Sequence, residues 1–285
     1  MGDSQGIRNG PNALALAAAL IAAALIGTNA KAQGGSGYFR YADARLALKH
    51  AVAVSEEPTD RADERRTLVF LSAEPLDAAA IAAAFDAADA VRDQKPAGGY
   101  VRVCIAADGS ECGLYYSPEG FNSGGYGELS LQRNEPAHIA GRWLLAKGDF
   151  LGTPYDYDLR FDTPIVPAPG SDLPAGGGAP GAAYNAWLDA LAKGDVAALR
   201  RMGGEDARWR FPDDDPGTVK ESLKSLRDGE PLRAQISRGR QHADQAVLWV
   251  EGVDRDDIRR RGRVLMRRSA AGWQHVESDL DSVDE

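Results

Sequence analysis

Residues 167 to 181 read PAPGSDLPAGGGAPG, and they divide the chain into two stretches of different character. The segment is rich in proline and glycine, carries one charge and shows no apolar periodicity. A run of this kind favours neither helix nor strand, so residues 169–180 read as a linker between two units. At 285 residues the chain is long enough for two modest domains, each with its own core. Gly176, Gly178 and Gly181 fall in the spacing of a dinucleotide-binding turn. No strand precedes them, and Pro180 removes an N–H that a phosphate would need, so they imply no cofactor.

Before the break, residues 33–168 read mostly as strands: TLVFLSA (67–73), YVRVCIA (100–106), CGLYYS (112–117), GELSLQR (127–133), IAGRWLLA (139–146) and YDYDLRFD (155–162). Leu129 and Leu131 share one face, as do Tyr155, Tyr157, Leu159 and Phe161, the alternation of antiparallel strands buried on one side. One helix is expected from Asp77 to Arg92, with Leu76, Ile81, Phe85 and Ala88 toward one side. The expectation is an antiparallel sandwich or partly open barrel with one helix. Ala107-Asp108-Gly109 is a turn signal, and a turn centred on Asp108 sets Cys104 opposite Cys112, within disulfide range.

After the break, over 181–285, helices come first and strands last, making the whole chain α+β. Tyr184, Trp187, Leu188 and Leu191 follow the i, i+3, i+4, i+7 pattern of an amphipathic helix stopped at Gly194. Asp195 caps a short second helix carrying Val196, Leu199 and Met202. ARWRF (207–211) reads as a short strand. Thr218 and Glu221 form a capping box for a third helix, with Val219, Leu223 and Leu226 on one face. Strands are expected over 232–240, 245–253, 261–268 and 272–278.

The N-terminus carries an apolar run from Ala13 to Gly27, short of the roughly 20 residues of a membrane span but suited to a signal peptide. Ala30-Lys31-Ala32 is an A-x-A cleavage site, so residues 1–32 are expected to be removed and no transmembrane segment to remain. This places the protein in the periplasm or outside the cell, where a disulfide persists. A net charge of -9 argues against nucleic acid as a partner.

The order helix, helix, short strand, helix, then antiparallel strands resembles the NTF2-like, SnoaL-like superfamily with its cystatin-type fold. WLDALAKGDVAAL (187–199) is similar to the opening helix pair, and WRFP (209–212) followed by GTVKESL (217–223) to the strand and third helix. The resemblance covers residues 181–278 and implies a curled sheet packed on helices around an apolar cavity. Members include isomerases, cyclases and dehydratases, and also proteins that only bind ligands or partners. The isomerase-type carboxylate base falls at Phe211 in this chain, and a benzyl group accepts no proton. The resemblance therefore implies binding more readily than catalysis.

Other chemistry is sparse. Asp213, Asp214 and Asp215 precede a helix, where the dipole favours negative charge. Counted as a calcium loop from Asp213, position 12 is Lys224, which does not ligate. His50, His138, His242 and His275 have no zinc spacing with the cysteines, and no metal site is expected. The sequence holds no Walker motif and no S-x-x-K pair. Tyr184, Trp187, Trp209, Phe211, Trp249 and Trp273 are the candidate walls of a ligand cavity, since aromatic surfaces hold apolar ligands. Seven arginines lie between 254 and 268. On a strand, Val264 and Met266 would face the helices while Arg261, Arg263 and Arg267 face outward, toward solvent or a second copy. The expected role is non-enzymatic binding of a small apolar ligand or a protein partner. An enzyme of the same fold, using Asp206, His275 or Glu251, is the first alternative, and a structural envelope protein the second.

Overall fold

The computed structural model describes residues 34–57, 65–124, 126–204 and 207–283. The expected signal peptide and Asp206 lie outside the described residues. The chain is α+β: a β-rich first half, a group of helices, then an antiparallel sheet.

The first half begins with β1 (Gly35–Tyr41), β2 (Ala44–Leu48), β3 (His50–Glu56) and β4 (Arg66–Ser72). Helices α1 (Ala78–Ala83) and α2 (Ala87–Asp93) follow, then β5 (Tyr100–Ala106), β6 (Glu111–Tyr116) and β7 (Phe121–Ser123). Three longer strands close it: β8 (Glu128–Glu135), β9 (His138–Phe150) and β10 (Thr153–Val166). One five-strand layer runs β2-β1-β10-β9-β8 and the other β3-β4-β5-β6-β7. The end of β10 crosses between them, pairing parallel to β3 at Ile165 and Ala53. The layers enclose a core in which Phe39 stacks on Tyr116 at 4.4 Å and on Tyr157 at 5.5 Å.

The second layer is buried on both faces. Ala51 and Ala53 of β3 and Val69 and Leu71 of β4 face the sandwich core. Val52, Val54, Leu68 and Phe70 face Ile81 and Val91 of the two helices. This accounts for the unbroken apolar runs of these strands, which a one-sided sheet would not need.

Two short helices replace the single one expected over 77–92. Ala84 takes extended backbone angles, and Asp86 begins a new helix by accepting the Asp89 N–H at 2.9 Å. An aspartate is a stronger N-cap than an interior helix residue, so the acid divides the segment. The Cys104–Cys112 disulfide forms, with Cα atoms 4.9 Å apart. Its register differs from the symmetric hairpin: Cys104 lies opposite Gly113, and a bulge between Cys104 and Ile105 brings Cys112 into reach.

The Pro/Gly segment is more than a spacer. Ser171–Asp172 form strand β11, and α3 (Gly178–Lys193) starts inside the segment. Its glycines permit close approach. A Cβ at Gly177 would stand 2.8 Å from Leu248, and one at Gly181 2.0 Å from the Gly176 carbonyl.

Beyond it come α4 (Val196–Met202), α5 (Ala207–Arg210) and α6 (Pro216–Gly229), then β12 (Ala234–His242), β13 (Gln245–Val253), β14 (Arg259–Ser269) and β15 (Gly272–Ser282). The sheet runs β11-β12-β13-β14-β15, antiparallel throughout. Its inner residues Leu248, Val250, Val264 and Met266 pack against Tyr184, Leu188 and Leu199 of the helices.

Two local expectations fail here. ARWRF forms a helical turn, in which the Phe211 N–H bonds the Ala207 carbonyl at 2.9 Å. A strand would set Trp209 and Phe211 on one face. The helical turn instead buries Ala207 and Phe211 and leaves Trp209 82% exposed. Helix α6 starts three residues early, capped by Asp215, whose carboxylate accepts the Thr218 N–H at 3.0 Å, with Pro216 at its first position.

The outer face of the second sheet is partly covered by the chain's own first half. Val247 and Trp249 point away from Leu248 and Val250, are buried, and share a narrow space with Val54, Ile81 and Phe85. Arg263 reaches Asp86 at 3.5 Å, and Arg238 reaches Glu57 at 2.9 Å.

Candidate functional site

Two places in the molecule gather groups capable of chemistry or recognition. The first is inside the helix-covered side of the second sheet. Tyr184 projects from α3 and donates its hydroxyl to Glu230, just past the end of α6, at 2.7 Å. His275 Nε2 lies 2.8 Å from Ser278 Oγ on β15, and the imidazole stacks on Trp187 at 4.0 Å. A bulge in β15 makes the pair possible. Leu265 pairs with Glu277, but Met266 pairs with His275, so the strand gains a residue there. His275 and Ser278, which strict alternation would put on opposite faces, both turn inward.

Burial dominates the electrostatics. It raises the Tyr184 hydroxyl well above its ordinary value, with the Glu230 charge adding to the effect. It also raises Glu230, opposed by hydrogen bonds from Ser278 and Tyr184 and by the Arg210 charge. His275 is lowered to about 3, first by burial and then by Arg210. At neutral pH the ring is therefore uncharged. An imidazole that donates from Nε2 to Ser278 Oγ leaves the serine proton for Glu230. The hydrogen bonds of the cluster close on one another.

The second place is the cleft where the two halves meet, of about 320 Å³. Its floor is Phe85 from the α1–α2 corner with Val247 and Leu265 of the second sheet, which pair across β13 and β14. Glu277 stands beside Leu265 in register, and Asp279 beside Arg263. The two guanidinium groups of the cleft are already engaged, Arg92 with Asp89 at 2.7 Å and Arg263 with Asp86. Glu277 and Asp279 are exposed and have no ion-pair partner among the described residues.

The aromatic residues read from the sequence as one cavity wall do not meet. Tyr184, Trp187 and Phe211 are buried in the second core, with Trp273 packed against it. Trp209 is on the surface. Trp249 faces the first half, with Arg238 over its ring at 5.4 Å. The three aspartates divide their work. Asp215 caps α6, Asp213 pairs with Arg200, and Thr218 hydrogen bonds hold the Asp215 carboxyl below its usual range. Glu251 is taken by Arg259 and Arg261 on the neighbouring strand.

Sequence reasoning missed Glu230 and Ser278. Glu230 follows a helix end as any C-cap residue does, and Ser278 is out of phase with His275 until the bulge is known. Among the described residues, no three His, Cys, Asp or Glu side chains gather to hold a metal ion, and no helix is long and apolar enough to cross a membrane. The chain matches no family model, no curated protein and no solved structure.

Proposed function

We propose that this is an exported binding protein, with an NTF2-like second half, that takes its ligand in the cleft between the halves rather than inside the second core. One observation carries the reading: the acid and base candidates of the interior are satisfied by each other and by core side chains, whereas the junction cleft is open and keeps two carboxylates free. An apolar floor with a few polar groups at its rim is the usual composition of a ligand site. Export is supported by the apolar N-terminal run with its A-x-A site, and by a disulfide that suits an oxidising compartment. The superfamily assignment is supported by the motif words of residues 187–223 and by helices followed by an antiparallel sheet, although residues 207–210 are helical where the resemblance implies a strand.

Native mass spectrometry of protein purified from the periplasm tests the binding role. A retained small-molecule adduct, lost on filling the cleft by Val247→Trp, is the expected result. An adduct that survives that change places the ligand elsewhere. Fusion of residues 1–40 to a leaderless reporter tests export, and cytoplasmic retention would refute it.

A second reading, an enzyme of the same fold, is favoured by the convergence of Tyr184, Glu230, Ser278 and His275. A buried carboxyl whose neutral form is favoured by burial, beside a tyrosine hydroxyl, is the kind of pair that can donate to an oxyanion. Turnover abolished by Glu230→Gln in a folded protein would establish this reading.

A further inference from the structure

The junction cleft does not end at Phe85. It adjoins a narrower recess with which it shares Phe85, Val247 and Arg263. That recess is lined by Glu57, only 5% exposed, whose Oε1 is held by Arg238 and Arg240. Its other oxygen, Oε2, is buried with no hydrogen-bond partner. An unmatched buried acceptor is costly, and a donor placed there is correspondingly favoured. The space is about 30 Å³, room for a small polar group but not for a ring.

Both ends of this groove hold a carboxylate oxygen without a donor, and the deep end also holds Arg240 Nε, buried without an acceptor. At the open end Glu277 and Asp279 present uncompensated carboxylates, because the two arginines beside them are already paired. At the deep end Glu57 Oε2 lacks a donor. Between them lie Phe85, Val247 and Leu265, which offer only apolar contact. An anion would meet repulsion at the rim, and a purely apolar molecule would leave the deep acceptor unmet.

We propose that the groove binds a small organic cation with an apolar body, an alkylammonium whose charged end meets Glu277 and Asp279. A second donor at the far end of such a molecule meets Glu57 Oε2. This assignment rests on the binding role proposed above and names the chemistry of its ligand.

Isothermal titration of the full-length exported protein with four six-carbon probes tests it: 1,6-diaminohexane, hexylamine, 1-hexanol and hexanoate. Affinity should fall in that order. Hexylamine should exceed hexanoate by roughly tenfold, the scale of two partly exposed charge contacts. The double variant Glu277→Gln, Asp279→Asn changes only exposed side chains on the outer sheet face, and should bring hexylamine down to the level of hexanol. Equal binding of hexanoate and hexylamine would overturn the cation assignment and leave the binding role standing. Equal binding of hexylamine and the diamine would overturn the deep contact at Glu57. If none of the four binds, the ligand class is wrong, and the adduct experiment above decides separately whether the binding role survives.

Discussion

The two halves of this molecule bury their interiors in opposite ways. The first encloses stacked aromatic rings and aliphatic side chains between two layers, with a second apolar seam beneath its helices. The second embeds an acid, an imidazole and two hydroxyls among its helices and sheet. An apolar core is insensitive to pH, and its energy lies in shape and area. A buried polar cluster has little net stabilising value but is expensive to break, because each lost partner strands a desolvated group. The first half should therefore respond to changes of volume, and the second to changes of protonation.

The largest test of that contrast removes one ring from each core. Phe39→Ala and Trp187→Ala should each cost about 3–5 kcal/mol in denaturant unfolding. Only the second should also release His275 toward ordinary titration, read by NMR. An unchanged imidazole in Trp187→Ala would mean the stacking does not hold the ring.

The disulfide belongs to the first half alone. Replacing Cys104 and Cys112 by Ala should cost about 2–3 kcal/mol on the loop-entropy account of a short loop. Two alkylatable thiols in exported protein would show that the bond does not form.

Hydroxyl deletions sharpen the comparison further. Tyr184→Phe takes one of its two side-chain donors from the buried Glu230 and should cost about 1–3 kcal/mol. Tyr157→Phe, whose hydroxyl donates to the Tyr126 carbonyl at 2.6 Å, should cost about 1 kcal/mol. Equal losses would imply that the polar cluster is no more demanding than a lone bond.

Titration gives the fourth test. His275 has a folded value of about 3 against an ordinary 6.5. Below 6.5 the unfolded chain binds a proton that the native ring refuses, so stability falls as pH drops toward 3, by at most about 1.4 kcal/mol per unit. Glu230 acts with the opposite sign. Its value is raised, so its contribution is complete below about 4.5 and is lost as pH rises through the folded value. His275→Phe should remove the acid limb from the stability profile. Identical profiles for variant and parent would show the histidine is not the titrating group.

The smallest effect is expected at the surface acids. Changing Asp213, Asp214 and Asp215 to Asn should leave binding intact and lower stability only by helix-end electrostatics, about 0.3–1 kcal/mol. Loss of ligand binding in that folded triple variant would return the aspartates to the site.

Much of the fold could be read directly. The strands of 100–106 and 245–253 fall within the expected limits, because alternation and turn residues are local signals. The disulfide pairing followed from hairpin geometry even though the register did not, since a one-residue bulge leaves no mark in composition. ARWRF alternated like a strand and folded as a turn of helix, because two apolar residues four apart satisfy that pattern equally well. The candidate cavity was less legible. Six aromatic residues looked equivalent in the sequence, but only the fold shows which face of its element each one occupies.

What the sequence alone determined was the α+β class, the change of character near residue 170 and the cysteine pair. Each depends on residues close together in the chain. What only the tertiary structure decided was everything that joins distant segments. It set Glu230 against Tyr184, 46 positions away, and used a strand bulge to turn Ser278 inward beside His275. It laid Asp86 against Arg263 across the junction and left Glu277 and Asp279, beside an apolar floor, with no ion-pair partner among the described residues. Local periodicity sets which face a residue takes. Only packing determines what that face meets, and with it which charges are compensated.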